Sequence, residues 1–455
     1  MGELPSRGIV ASPQPGGATR LLRAVAWVAV ARVLGMGMGL ATTILVARVY
    51  GKEATGLVAL INATAVVFAT AAGAGLPVFL LRVFSDGERP EDRWRHLQLY
   101  RRALWLVLGI ALLLLAPVLV ALFGRFPGFA REMPGLALSI VAAALLGRVL
   151  MALAVSVSRA LLPVPAYAGL LLLPIAANLA IVAVWLLLAP PLPILPSAAL
   201  AFGVGLTGAV AVFAGMLRLG KARHAQDPGD AILSPRQMLA AGAPFLLASG
   251  ASVLVMDGNI VVSGFLLPTA EVGIYAVAHK LSLLTSFALS SVSLVAQPQF
   301  ARLRAQGDRE ALQHYGRQVS RLIFWSSVPI ILGLFLARHG LMQWGFGAGF
   351  ADATAPLTVL LVGQAVAALT GATNPYLSMT GGQHLLARII TVAAVLSIVL
   401  NLLLTPWLGV IGPAVAMTAS LVFWNTATLL TIRLRDGLWL CWVPGIFAAR
   451  RGAES

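Results

Sequence analysis

Cys441 is the chain's one cysteine, so no disulfide can close within it. Metal-binding patterns are missing as well. The six histidines, His96, His224, His279, His314, His339 and His384, are scattered without ligand spacing, and no structural metal is expected. No phosphate loop of the form GxxxxGKS/T occurs: Gly51-Lys52 runs into Glu53, and Gly220-Lys221 into Ala222. Any work such a chain does would therefore draw on something other than nucleotide hydrolysis at a loop of that kind: an ion gradient, a membrane potential or a partner. Charge is also scarce, at 11% of residues against roughly 25% in an ordinary soluble domain.

What fills the space is apolar. Hydrophobic residues make up 59% of the 455, and mean hydropathy is +0.91. Apolar runs of about 18 or more residues recur along the whole sequence, so the bilayer is the solvent. At about 20 residues per crossing, the runs predict helices over 24–47, 56–81, 103–123, 136–157, 166–189 and 197–217. A second set follows over 239–267, 273–296, 320–338, 355–377, 387–406 and 411–432. The expected organisation is a cytoplasmic tail (1–22), a first lobe of six helices (23–220), a cytoplasmic linker (221–237), a second lobe of six (238–432), and a cytoplasmic or interfacial tail (433–455). Residues 1–22 are rich in proline and glycine with no convincing cleavage site, so the first helix reads as retained. The apolar stretch 438–449 is too short to span and is expected to lie in the interface.

The formal charge of +16 sits in short gaps between apolar runs, which marks orientation rather than nucleic-acid binding. With the N-terminus inside, cytoplasmic segments hold 24 of the 32 basic residues. Outer segments hold five, Arg48, Lys52, Arg125, Arg131 and Arg338. Both termini are therefore expected in the cytoplasm. The outer loops are short and offer only Glu53, Glu132, Glu271 and Asp352 as carboxylates, no set for an enzyme acting on lipid-linked sugars.

Charges inside the apolar runs are costly and so are candidates for function. Arg32 and Arg148 each lie roughly 12 Å in from the cytoplasmic edge, with no acid at their depth. Burying both calls for water, polar groups or an anion, and a diphosphate suits guanidinium donors. Snorkelling or plain packing is the alternative for either residue. Asp257 and Lys280 lie about 20–24 Å in, on the two arms of a hairpin. Two readings stand for them: mutual neutralisation, or a proton or cation coupling site at Asp257. Amides such as Asn62, Asn178, Asn259, Gln364, Asn374, Asn401 and Asn425 either line a sugar-binding cavity or bond between helices. Gly35 and Gly39 have GxxxG spacing, which signals close helix packing.

Several stretches, taken in order, resemble one family. They are ARVYGKEATGLV (47–58), DGNIVVSGFLLPTAEVGIYAVAHKL (257–281), WGFGAGFADA (344–353), SMTGG (378–382) and NLLLTPWLGVIGPAVA (401–416). Over nearly its whole length the chain is similar to the polysaccharide transporter (Wzx-type) flippases of the multidrug/oligosaccharidyl-lipid/polysaccharide exporter superfamily. Matching positions are Arg48, Gly51, Gly56, Asp257, Glu271, Gly273 and Tyr275. The segment SRALLPVPAY (158–167) departs from the pattern in lacking a glycine and a basic pair.

The resemblance implies an all-α, MATE-like fold: two six-helix bundles around a central cavity that opens alternately to each side. It implies a polyprenyl-diphosphate-linked oligosaccharide as substrate, carried across a bacterial inner membrane without a cofactor. The partners it implies are membrane lipids and polysaccharide assembly proteins, with no nucleic acid. The candidate site is then Arg32, Arg148, Arg48 and Lys280 for the substrate, with Asp257 as coupling residue or ion-pair member. A cation-coupled multidrug or small-solute antiporter is the competing reading. It fits less well, because basic residues outnumber acids three to one within the helices.

Overall fold

The structure, a computed structural model, describes residues 17–85, 93–125, 134–188, 195–220 and 233–441. Every regular element among them is helical. That outcome follows from the solvent: in lipid each backbone N–H and C=O needs a partner within its own segment. The helices are α1 (Gly17–Gly73), α2 (Leu76–Ser85), α3 (Arg93–Arg125), α4 (Pro134–Leu161), α5 (Val164–Leu188), α6 (Leu195–Gly220), α7 (Pro235–Met256) and α8 (Gly258–Leu266). The rest are α9 (Thr269–Gln306), α10 (Arg309–Gly340), α11 (Thr354–Thr370), α12 (Thr373–Met379), α13 (Gln383–Leu408) and α14 (Ile411–Asp436). A π-helical turn (Leu341–Phe346) and a 3-10 turn (Ala348–Ala353) lie between α10 and α11.

Among the described residues, eleven helical stretches are long and apolar enough to cross a membrane, where the sequence predicts about twelve. The difference lies in α1, whose apolar part Val30–Gly73 has 44 residues. Straight, it would measure about 66 Å, twice the hydrocarbon thickness. It breaks at Gly51, whose φ of 79° and ψ of −169° leave the helical region. Thr43 before the break and Asn62 after it line the same cavity, so the two arms fold back on each other. Glycine takes this conformation without the Cβ penalty other residues meet.

Three further predicted helices are interrupted. The second ends at Gly73, turns through Ala74 and Gly75, both at positive φ, and resumes as α2. The seventh divides at Asp257 into α7 and α8. The tenth ends at Thr370, where Gly371 (φ 64°) packs so tightly on Ser320 that a Cβ would come within 2.4 Å of its Oγ. That hydroxyl accepts the Ala372 amide at 3.0 Å, satisfying one of the donors freed by the break.

Of the predicted linker 221–237, residues 221–232 lie outside the described part. Ser234 and Gln237 form a capping box at the start of α7. The predicted tails 1–22 and 433–455 are described only over 17–22 and 433–441. α14 runs on to Asp436, and Leu438 and Leu440 behind it are buried, Leu440 against Gly316.

Two buried polar clusters brace the second half. Asn259 Nδ2 donates to Ser397 Oγ at 2.8 Å, Asn401 Nδ2 donates to Asn259 Oδ1 at 2.9 Å, and Thr405 donates to Asn401 at 2.6 Å. The set ties α8 to α13. Asp436, 7% exposed, accepts from Tyr376 Oη at 3.1 Å, Arg435 at 3.2 Å and Arg304 at 3.4 Å. It gathers the ends of α9, α12 and α14.

The two halves also repeat. Ala31, Val33, Leu34 and Met36 recur as Ala251, Val253, Leu254 and Met256; Gly56 and Ala59 as Gly273 and Ala276; Leu145, Gly147, Ala152 and Leu153 as Leu361, Gly363, Ala368 and Leu369. The contact between Gly56 and Gly273 has the reciprocity expected of such a pair. A Cβ on Gly56 would lie 1.9 Å from Thr269 O, and one on Gly273 would lie 2.2 Å from Lys52 O. Each glycine thus meets the carbonyl four residues before the other. Gly75 and Gly242 make a second such contact between the halves, with virtual Cβ distances of 2.0 Å to Gly242 O and 2.4 Å to Ala74 O.

Candidate functional site

Between the halves lies a cavity of about 710 Å³. Both arms of α1 line it, with α4, α5 and α6 from the first half and the start of α8 and the middle of α9 from the second. Its apolar walls come from the same Leu, Ile and Val content that makes these helices membrane-soluble. The polar groups stand out against them. Four of the five predicted site residues meet here: Arg32, Arg148, Asp257 and Lys280 all line the cavity.

Arg148 projects from α4, and its Nη2 donates to Asn62 Oδ1 at 3.3 Å. Asp257, at the α7–α8 break, lines the same cavity, and no salt bridge joins it to Arg148 among the described residues. Where the sequence left open a pairing of Asp257 with Lys280, the ammonium turns elsewhere. Lys280 Nζ donates to Thr43 Oγ1 at 2.5 Å, across the halves. No salt bridge joins Asp257 and Lys280 among the described residues. The break that frees Asp257 also leaves its carboxylate without a capping hydrogen bond.

Gly39 borders the ammonium: a Cβ there would lie 3.8 Å from Lys280 Nζ, an ordinary contact. Gly35 does pack on a neighbouring helix, with a virtual Cβ 3.2 Å from Ile175 of α5. Arg48 lies outside the cavity lining. Its side chain bonds to the carbonyl oxygens of Gly345, at 2.8 Å, and Trp344, pinning the π-helical turn to the end where α1 reverses.

Three cationic side chains therefore face one carboxylate, leaving two positive charges over in a largely apolar cavity. Such an excess attracts an anion, because unpaired charge in low dielectric is costly. Of the predicted amides, Asn62 and Asn178 reach the cavity, and Asn178 Oδ1 has no partner among the described residues. Asn259 and Asn401 are consumed by the α8–α13 cluster, Asn374 by Trp424 at 3.0 Å, and Asn425 by Thr370 at 3.3 Å. Thr43 and His279 also line the cavity and escaped the sequence reading. The internal repeat carried a signal for His279, since it occupies on α9 the position that Asn62 occupies on α1.

A family model described as polysaccharide biosynthesis protein matches residues 21–304. No curated protein matches the chain significantly. Among solved structures, a lipid II flippase, MurJ, in an inward closed conformation is similar at 16% identity, covering 89% of this chain and 87% of that one, with a TM-score of 0.63. An inward-facing multidrug resistance MATE family transporter of the MOP superfamily is similar at 13% identity over 90% and 98%, with a TM-score of 0.67. A Vibrio cholerae MATE transporter is similar at 14% identity over 92% and 98%, with a TM-score of 0.59. These likenesses show a shared all-α, multi-pass membrane fold.

Proposed function

The chain belongs to the polysaccharide biosynthesis protein family, a family of membrane transporters, and on that premise we propose that it is a flippase for polyprenyl-diphosphate-linked oligosaccharide. It carries the headgroup from the cytoplasmic to the outer leaflet of a bacterial inner membrane while the polyprenyl chain stays in lipid. The observation that carries this reading is the cavity's charge excess: Arg32, Arg148 and Lys280 against Asp257. An organic cation would meet net repulsion there. A diphosphate would neutralise it, through forked donors from the arginines and a point charge from the lysine.

In this reading the molecule has twelve crossings, α1 supplying two, with both termini in the cytoplasm. The lobes are 23–220 and 238–432. The end where α1 reverses then faces outward, and the reciprocal contact of Gly56 with Gly273 closes that side. Asp257 shares the cavity with Arg148, so its carboxylate lies in the field of the arginine while no substrate is present; the arriving diphosphate neutralises that field, and the carboxylate then binds a proton or cation more readily. Binding energy is thereby linked to an ion gradient.

The test is transport in proteoliposomes carrying undecaprenyl-diphosphate-linked oligosaccharide. Wild-type protein should move the headgroup across, and Arg32→Gln with Arg148→Gln should abolish movement while leaving folded protein in the membrane. Full activity in that double variant would take the arginines out of the substrate path.

A further inference from the structure

His279 is 3% exposed and lines the cavity, yet its Nε2 has no partner among the described residues. A buried ring nitrogen in that state carries an unrelieved desolvation cost, so it is a place where a ligand atom is expected. The ring is held in plane by Tyr275 one turn earlier, at 5.9 Å between centroids and 23° between planes. Beside it in sequence is Lys280, whose ammonium is fixed by Thr43.

The repeat supplies an independent observation. Asn62 stands six residues after Gly56, and His279 six residues after Gly273. The same helical position thus borders the cavity from both walls, with an amide on one and an imidazole on the other. On the first-half wall the amide is bonded to a cation, Arg148. On the second-half wall the imidazole precedes a cation, Lys280, in sequence.

We propose that His279 and Lys280 form a second phosphate subsite facing the one built on Arg148. The His279 imidazole donates Nε2–H to an oxygen of one phosphate group, and Lys280 supplies the charge, while the arginines hold the other phosphate group. A neutral imidazole and an ammonium are both donors, which suits phosphate oxygens. The consequence is a cavity that selects two linked phosphates over one, because a single phosphate cannot engage both walls. This inference rests on the reading of the protein as a carrier of diphosphate-linked lipid.

The experiment measures binding of undecaprenyl diphosphate and of undecaprenyl monophosphate to the full chain in nanodiscs. Wild-type protein should prefer the diphosphate. His279→Leu should lose about tenfold in affinity for the diphosphate, the loss of one hydrogen bond to a charged group, and little for the monophosphate. His279→Asn, which places the side chain of Asn62 on the second wall, should keep most of the preference. If the leucine variant does not fold, His279→Phe carries the same expectation, since it keeps the stack on Tyr275 and removes both nitrogens.

Equal weakening toward both lipids, or none, overturns the subsite while a wild-type preference for the diphosphate leaves the parent reading standing. Wild-type protein that binds neither lipid, with Arg148→Gln indistinguishable from it, overturns both.

Discussion

Replacing Gly273 with alanine should act as a wedge between the halves. The new Cβ would sit 2.2 Å from Lys52 O and 2.9 Å from Gly56 N, both backbone atoms that no rotamer change can move. Restoring an ordinary contact near 3.4 Å requires the helices to part by about 1 Å. Overpacking of this kind costs about 1–3 kcal/mol. That cost falls on the state in which Gly56 and Gly273 touch and not on one in which they have separated. The conformational equilibrium should therefore shift by roughly 5- to 150-fold toward opening at the end where α1 reverses. The assay uses a Cys441→Ser background with Asn178→Cys as reporter in the cavity, labelled in intact cells by a membrane-impermeant maleimide. Gly273→Ala should raise the labelling rate from outside. Gly242→Ala, whose Cβ would lie 2.4 Å from Ala74 O near the opposite end, should not raise it. Unchanged labelling in a folded Gly273→Ala variant would refute the idea that this contact closes the outer side.

Arg148→Gln should weaken binding of undecaprenyl diphosphate by about 10- to 100-fold, the range for charge-assisted hydrogen bonds, and equilibrium binding in nanodiscs checks it. Asp257→Asn should leave substrate binding near wild-type strength but change how transport responds to an imposed proton or sodium gradient. A variant that only melts earlier, with its gradient response intact, would make Asp257 structural. Asn401→Leu should destabilise the protein by about 1–3 kcal/mol, since it strands the buried Asn259 and Thr405 groups. Thermal unfolding in detergent measures that loss, and an unchanged midpoint would contradict it.

Much of the architecture was legible because membrane spans are written in runs of apolar residues, a signal that survives without any tertiary context. The breaks were not. The break at Asp257 interrupts an apolar run whose flanks, ending in Met256 and resuming at Ile260, look alike in composition. Gly51 and Gly371 leave the helical region because of what they pack against or join, which a list of glycines does not disclose. For the site, depth along a helix singled out Arg32 with Arg148 and Asp257 with Lys280 as two pairs, and the fold sets all four on one cavity. Depth says nothing about azimuth, and so it left the partners open: Lys280 donates to Thr43. Arg48 lies at the rim of the map and finds backbone carbonyls before it finds the cavity.

The central claim is that this chain moves a diphosphate-linked glycolipid between leaflets. It is tested most directly by the transbilayer location of polyprenyl-diphosphate-linked oligosaccharide in cells depleted of the protein and in cells restored with it. Accumulation on the cytoplasmic leaflet, reversed on restoration by wild-type protein but not by the Arg32→Gln, Arg148→Gln double variant, is the predicted result. A distribution that does not change on depletion would contradict the account.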